Sequence, residues 1–132
     1  MTYTESIKVK VRSQDFVDIT SKVEGIVRVS KVKDGLCTLF AIGATSSLII
    51  NENEPMLIED LKKFLEKIAS SKGFYHHAAN AYSHIRSAIF GNSQIIPIKD
   101  GRLMLGTWQS IMVVNFDTRS REREIVVTVV GD

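Results

Sequence analysis

Ser6-Ile7-Lys8-Val9-Lys10-Val11-Arg12 alternates polar and apolar residues with period two, the pattern of a strand with one face on a core and the other in water. Val23, Ile26 and Val27 then fall at helical spacing, and Ser21 and Glu24 have the separation of a capping box, which predicts a short amphipathic helix weakened by Gly25. Asp34-Gly35 is a turn signal, and Leu36 to Ile42 is a continuous apolar run short enough for a buried central strand. Strand character resumes at Ser47 to Ile50 after the break Gly43-Ala44-Thr45-Ser46, where a glycine marks a bend, a bulge or a close backbone approach.

Asn53-Glu54-Pro55 opens the clearest helix, with Asn53 as its expected cap and Leu57, Ile58, Leu61, Phe64, Leu65 and Ile68 along one face. It ends near Ser70 to Gly73, and Ser83 to Phe90 reads as a second, shorter helix stopped by Gly91. From Gln94 onward the pattern is that of a sheet: Ile95 to Ile98, the turn Lys99-Asp100-Gly101-Arg102, then Leu103 to Leu105, Ile111 to Phe116 and Ile125 to Val130. Asp117 to Glu124, with Arg119, Arg121 and Arg123, reads as a polar hairpin connection. Strands outnumber helices and cluster toward the C-terminus, so the expected fold class is α+β, layered rather than doubly wound, with residues 1–132 as one domain.

Composition agrees and narrows the partners. The 132 residues are 44% hydrophobic, enough to fill a core without disulfides or structural metal. Charged residues make up 24% and the net charge is only +2, which gives no electrostatic argument for a nucleic-acid partner. The single cysteine, Cys37, lies inside the apolar run, so a buried thiol in a reducing compartment is expected. The polar N-terminal segment lacks a signal-peptide core, and no run approaches the roughly 18 to 20 apolar residues of a membrane span. A cytoplasmic protein is the expectation.

All three histidines, His76, His77 and His84, fall between the long helix and the short one. Histidine is the side chain most easily tuned for proton transfer near neutrality and the commonest ligand for zinc-like metals, although an exposed connection with no chemistry is the plain alternative. Asn51-Glu52-Asn53 ends a strand before a helix, where a carboxylate can act as base, orient a histidine or simply favour the helix N-terminus. Thr45, Ser46 and Ser47 offer hydroxyls to a phosphate. Gly106-Thr107-Trp108-Gln109 interrupts an apolar strand region, and on a strand Thr107 and Gln109 would project side by side. Arg102 on the preceding turn and Arg119 on the following one could clamp an anion, against a default of solvated surface.

The stretch Ser93-Gln94-Ile95-Ile96-Pro97-Ile98-Lys99-Asp100-Gly101-Arg102-Leu103-Met104-Leu105-Gly106-Thr107-Trp108-Gln109-Ser110-Ile111 resembles the signature of the YjbQ family, small proteins associated with secondary thiamine-phosphate synthase activity. Ser46 through Asn53, Tyr75-His76-His77, Ser83-His84-Ile85-Arg86-Ser87, Gly91, Arg121 and Val130-Gly131 extend the resemblance along nearly the whole chain. It implies an α+β sandwich of mostly antiparallel sheet, a homo-oligomer, often a trimer, and a polar pocket lined by histidines. The implied ligand is a phosphorylated small molecule, with His77 or His84 as acid, base or metal ligand, Glu52 orienting one of them, Arg102 or Arg119 on phosphate, and Thr107, Gln109, Ser46 and Asn51 completing the substrate contacts. One position departs: Gly43 stands where the family carries a histidine. A divalent metal such as zinc would then have His77 and His84, with Glu52, as ligands, and a metal-free anion pocket becomes a comparable expectation.

Overall fold

A computed structural model describes residues 1–132. The elements in chain order are β1 (Thr2–Val11), β2 (Asp15–Asp18), α1 (Thr20–Ser30), β3 (Gly35–Ile42), β4 (Ser46–Asn51), α2 (Pro55–Ile68), α3 (Ala81–Phe90), β5 (Ser93–Lys99), β6 (Arg102–Leu103), β7 (Ser110–Asn115) and β8 (Arg121–Gly131). They form a five-stranded sheet of order β1-β8-β3-β5-β6 and a three-stranded sheet of order β2-β7-β4. Every pairing is antiparallel. This is the α+β sandwich expected.

The alternation that marks each strand explains the layering. Ile125, Val127 and Val129 of β8, Cys37, Leu39 and Ala41 of β3, and Ile96 and Ile98 of β5 point the same way, onto Ile111 and Val113 of β7, Leu48 of β4, and Val23, Ile26 and Val27 of α1. On the other side of the small sheet, Leu65 of α2 packs with Val114 and Phe116, and with the partly buried Phe16, Ile49 and Phe90. The small sheet is thus covered on both faces, whereas the outer face of the large sheet has no layer over it. Leu36, Phe40 and Ile42 of β3, Ile95 of β5 and Val130 of β8 are exposed there.

Several boundaries differ from the sequence reading for identifiable reasons. The short β2 was not expected; Gln14, at positive φ, turns the chain after β1 and lets Asp15–Asp18 pair with β7. No Ser21–Glu24 box forms at α1; Asp18 Oδ1 instead accepts from the Thr20 N–H and hydroxyl. Glu54, not Asn53, caps α2, its two oxygens accepting from Met56 and Leu57 N–H at 2.9 Å. Asn53 instead donates to Asp18 Oδ2. The strand expected over Leu103 to Leu105 stops at Leu103, and β8 begins at Arg121, so the polar connection before it is only four or so residues long. Cys37 is fully buried as expected, and burial pushes its thiol up to about 11.

Candidate functional site

α3 is seated on β4 by a seam of hydroxyls. Ser87 Oγ donates to the Ser46 carbonyl at 2.9 Å, Ser47 Oγ lies 3.1 Å from Ser87 Oγ, and Leu48 N–H donates to the Gly91 carbonyl. Strand and helix therefore advance together, with residues 46–48 beside 87–91. The Gly43–Thr45 turn leads directly into this seam at Ser46, and Ser87 stands about one helical turn beyond His84 on α3.

Arg86, buried to 4% exposure, holds the other side of this helix. Its guanidinium donates to the Ala69 carbonyl, to Gln14 Oε1 at 2.9 Å and to Glu66 Oε2 at 2.7 Å. Partial burial pushes the Glu66 carboxyl up, but donors from the Ser71 backbone, Arg86, Ser71 Oγ and Ser70 Oγ outweigh it and bring it down to about 2.

With α3 fixed, His84 meets His77 from the preceding segment, their rings 5.2 Å apart and nearly perpendicular at 81°. The two line an open cavity of about 390 Å³ with Tyr75, His76, Ala81 and Ile85. The histidine clustering noted in the sequence is therefore a real convergence, and His77 rather than His76 is the ring that pairs with His84.

The remaining expected residues lie elsewhere. Glu52 follows the far end of β4, roughly 16 Å of strand from Ser46, so within one chain it does not orient either histidine. Asn51 is beside Ser110 across the β4–β7 ladder, with its Oδ1 occupied by the Glu52 N–H. Gly106 to Gln109 is an exposed turn, not a strand: Gln109 N–H donates to the Gly106 carbonyl and Gln109 Oε1 accepts from the Gly106 N–H. Thr107 and Gln109 consequently do not stand side by side on a sheet, and Trp108 is 72% exposed. Arg102 lines a separate cavity of about 470 Å³ with Arg28, Lys31 and Lys33 of the α1 end. Arg119 is exposed in the β7–β8 turn, where its carbonyl accepts from Asn115 Nδ2. Ser46 is sealed from solvent, its Oγ without a partner, so no ligand reaches it in this conformation.

Arg123 was missed. It is 6% exposed and lies in phase with Ile125, Val127 and Val129 on the inward face of β8. Its Nε and Nη2 donate to Asn115 Oδ1, and Nη2 also to Thr45 Oγ1 at 2.7 Å and the Thr45 carbonyl at 3.0 Å. Nη1 lies beneath Gly43, where a Cβ would meet it at 2.9 Å. The signal was available: a charge at an inward position of a strand asks for a reason.

These positions decide how a zinc ion fits. Two imidazoles about 5 Å apart can share a tetrahedral ion, but nowhere does the chain gather three or more His, Cys, Asp or Glu side chains suited to a metal. At Gly43, where the resemblance implies a third histidine, the Arg123 guanidinium lies beneath the backbone, a positive charge that disfavours a metal cation. Within one chain the donor set does not fit a zinc centre.

Fold and cavity together define a small α+β sandwich protein with a paired-histidine surface site, and no helix is long and apolar enough to cross a membrane. The chain belongs to the family described as UPF0047 protein YjbQ-like, whose pattern matches residues 5–132. A UPF0047 protein of Methanothermobacter thermautotrophicus is 38% identical over 98% of this chain and 92% of its own length. Another, from Methanocaldococcus jannaschii, is 39% identical over 100% of this chain and 96% of its own. Among solved structures, a YbjQ-like protein of unknown function from Sulfolobus solfataricus superimposes with a TM-score of 0.88 at 30% identity over 100% of both chains. A hypothetical protein from Aeropyrum pernix gives 0.86 at 32%, covering 97% of this chain and 99% of that one.

Proposed function

We propose that the protein is a YjbQ-type enzyme acting on a phosphorylated small molecule at the His77–His84 cavity. The observation that carries this reading is the perpendicular approach of the two rings at 5.2 Å on an open concave surface. An imidazole so placed can pass a proton to a departing phosphate or pyrophosphate oxygen while its neighbour hydrogen-bonds the same group. Thiamine-phosphate formation, the activity the resemblance implies, is the first reaction to test: the thiazole nitrogen attacks the pyrimidine methylene carbon and pyrophosphate leaves with the bonding electrons. No step is assigned to a metal.

A homo-oligomer belongs to the same proposal. The uncovered apolar face of the large sheet, with Leu36, Phe40, Ile42, Ile95 and Val130, supports burial against further copies; a trimer is what the resemblance implies. Light scattering reporting a monomer at micromolar concentration would sink the assembly.

Purified protein incubated with the pyrimidine diphosphate and thiazole phosphate, with and without added zinc, tests the enzyme. Turnover lost in a folded His84→Ala variant supports it. Absence of turnover in clean, folded wild-type protein favours the second reading, a non-catalytic anion-binding oligomer, which the guanidinium beneath Gly43 and the separation of Glu52 from the histidines support.

A further inference from the structure

Arg123 is the most unusual charge in the molecule. Arg86, equally buried, has a carboxylate partner in Glu66, but Arg123 has none: its acceptors are one amide oxygen, one hydroxyl and one carbonyl. Its Nη1 has no acceptor in the chain. The only side-chain atoms sealed from solvent without a partner are Ser46 Oγ and Ser83 Oγ, so Nη1 retains contact with solvent. That contact runs past Gly43, which is exposed and has no side chain to block it. The N–H groups of Ala44 and Thr45 in the same turn likewise make no hydrogen bond within the chain.

The charges around this opening favour a negative guest. Arg119 and Arg121 lie on the adjoining turn and strand, Asp117 is engaged by Arg121 Nε at 2.7 Å, and Glu122 and Glu124, which flank Arg123, alternate to the opposite face of β8. A guanidinium held by Nε and Nη2, with Nη1 unbonded beneath Gly43 in a turn whose next two N–H groups are also free, has the chemistry of an oxyanion receptor. Thr45, which accepts from Arg123, adjoins Ser46, whose carbonyl accepts from Ser87 about one turn along α3 from His84.

We propose that Arg123 Nη1, with the Ala44 and Thr45 N–H groups, binds the phosphate group of the phosphorylated small molecule, and that Gly43 is the opening through which it is reached. The assignment rests on the reading of the His77–His84 cavity as the site of such a ligand. It moves the phosphate-binding cation from Arg102 and Arg119 to Arg123.

The test is nuclear magnetic resonance of uniformly ¹⁵N-labelled protein, following the Arg123 Nε–Hε signal and the Ala44 and Thr45 amides. Inorganic phosphate and methyl phosphate are titrated separately at constant ionic strength, with chloride as control. The expected result is a saturable shift of all three signals by methyl phosphate, and a loss of about tenfold in affinity in Arg123→Lys, which keeps a charge but not the fork. Should that variant not fold, the wild-type titration decides alone. Shifts confined to the Arg102–Lys33 cavity, shifts matched by chloride, or saturation by inorganic phosphate only would each overturn the proposal. His84→Ala is expected to lose turnover and keep the Arg123 shift. Turnover with an unchanged KM in folded Arg123→Lys would overturn this assignment and leave the enzyme reading standing; saturable phosphate binding without turnover would do the reverse.

Discussion

Replacing Glu66 by Gln isolates the anchor of the helix that carries His84. The carboxylate accepts from Arg86 Nη2 at 2.7 Å, from the Ser71 N–H and hydroxyl at 2.9 Å, and from Ser70 Oγ at 3.1 Å. Breaking a fully buried ion pair costs about 3–5 kcal/mol, but Glu66 is 47% exposed and Arg86 keeps Ala69 and Gln14 as acceptors. A charge-assisted hydrogen bond contributes about 1.5–3 kcal/mol, and solvent screening of a half-exposed group places the loss near the lower end, about 1.5 kcal/mol. The folded carboxyl sits at about 2, below its ordinary 4.5. A depressed carboxyl stabilises fully above its unfolded value and loses that contribution as pH falls through its folded one, so the gap between wild type and Glu66→Gln is expected in full at pH 7 and gone near pH 2. Urea unfolding followed by circular dichroism, at one fixed protein concentration because of the proposed oligomer, should place the pH 7 midpoints about 1 M apart. Equal midpoints at pH 7, or a gap that survives at pH 2, would refute the account of how α3 is held.

Gly43→Ala is expected to cost about 1–3 kcal/mol, since φ is +124° and the new Cβ meets Arg123 Nη1 at 2.9 Å; a variant as stable as wild type in the same urea assay would contradict this. Gly43→His should not create a tight zinc site, because Arg123 remains beneath it, and nanomolar zinc binding in a chelator competition would show the guanidinium to be no obstacle. Ser46→Ala removes a sealed hydroxyl without a partner and is expected to be neutral or stabilising by up to about 1 kcal/mol; a clear loss of stability would mean that Oγ is satisfied. Cys37, raised to about 11 and fully buried, should react with a disulfide reagent only on unfolding, and stoichiometric labelling of native protein would be the contrary result.

Strands and helices were legible where burial follows one simple period, as in β1; β3 was found from its continuous apolar run, but the expected full burial fails because the large sheet buries a single face and leaves Leu36, Phe40 and Ile42 exposed. Boundaries set by one side chain were not: Glu54 and Asn53 are both able to cap, and only the place of Asp18, at the end of β2 across β7 from β4, draws Asn53 away. The histidines were read correctly as a cluster because all three fall close together in sequence. The rest of the expected site was grouped by residue type: the strand read over Ser47 to Ile50 already put Ser46 and Glu52 at its opposite ends, and no local pattern reveals that Arg102 shares a cavity with Lys33. Arg123 was passed over because it stands among Arg119, Arg121 and Glu122, where charge reads as a solvated turn. Its period was the evidence: two residues before Ile125, it shares the face of Ile125, Val127 and Val129. A buried cation without a carboxylate is costly to keep, and in this chain it lies beneath the glycine that replaces an expected histidine. With no side chain at position 43, the guanidinium keeps the contact with solvent through which we propose that it binds an anion.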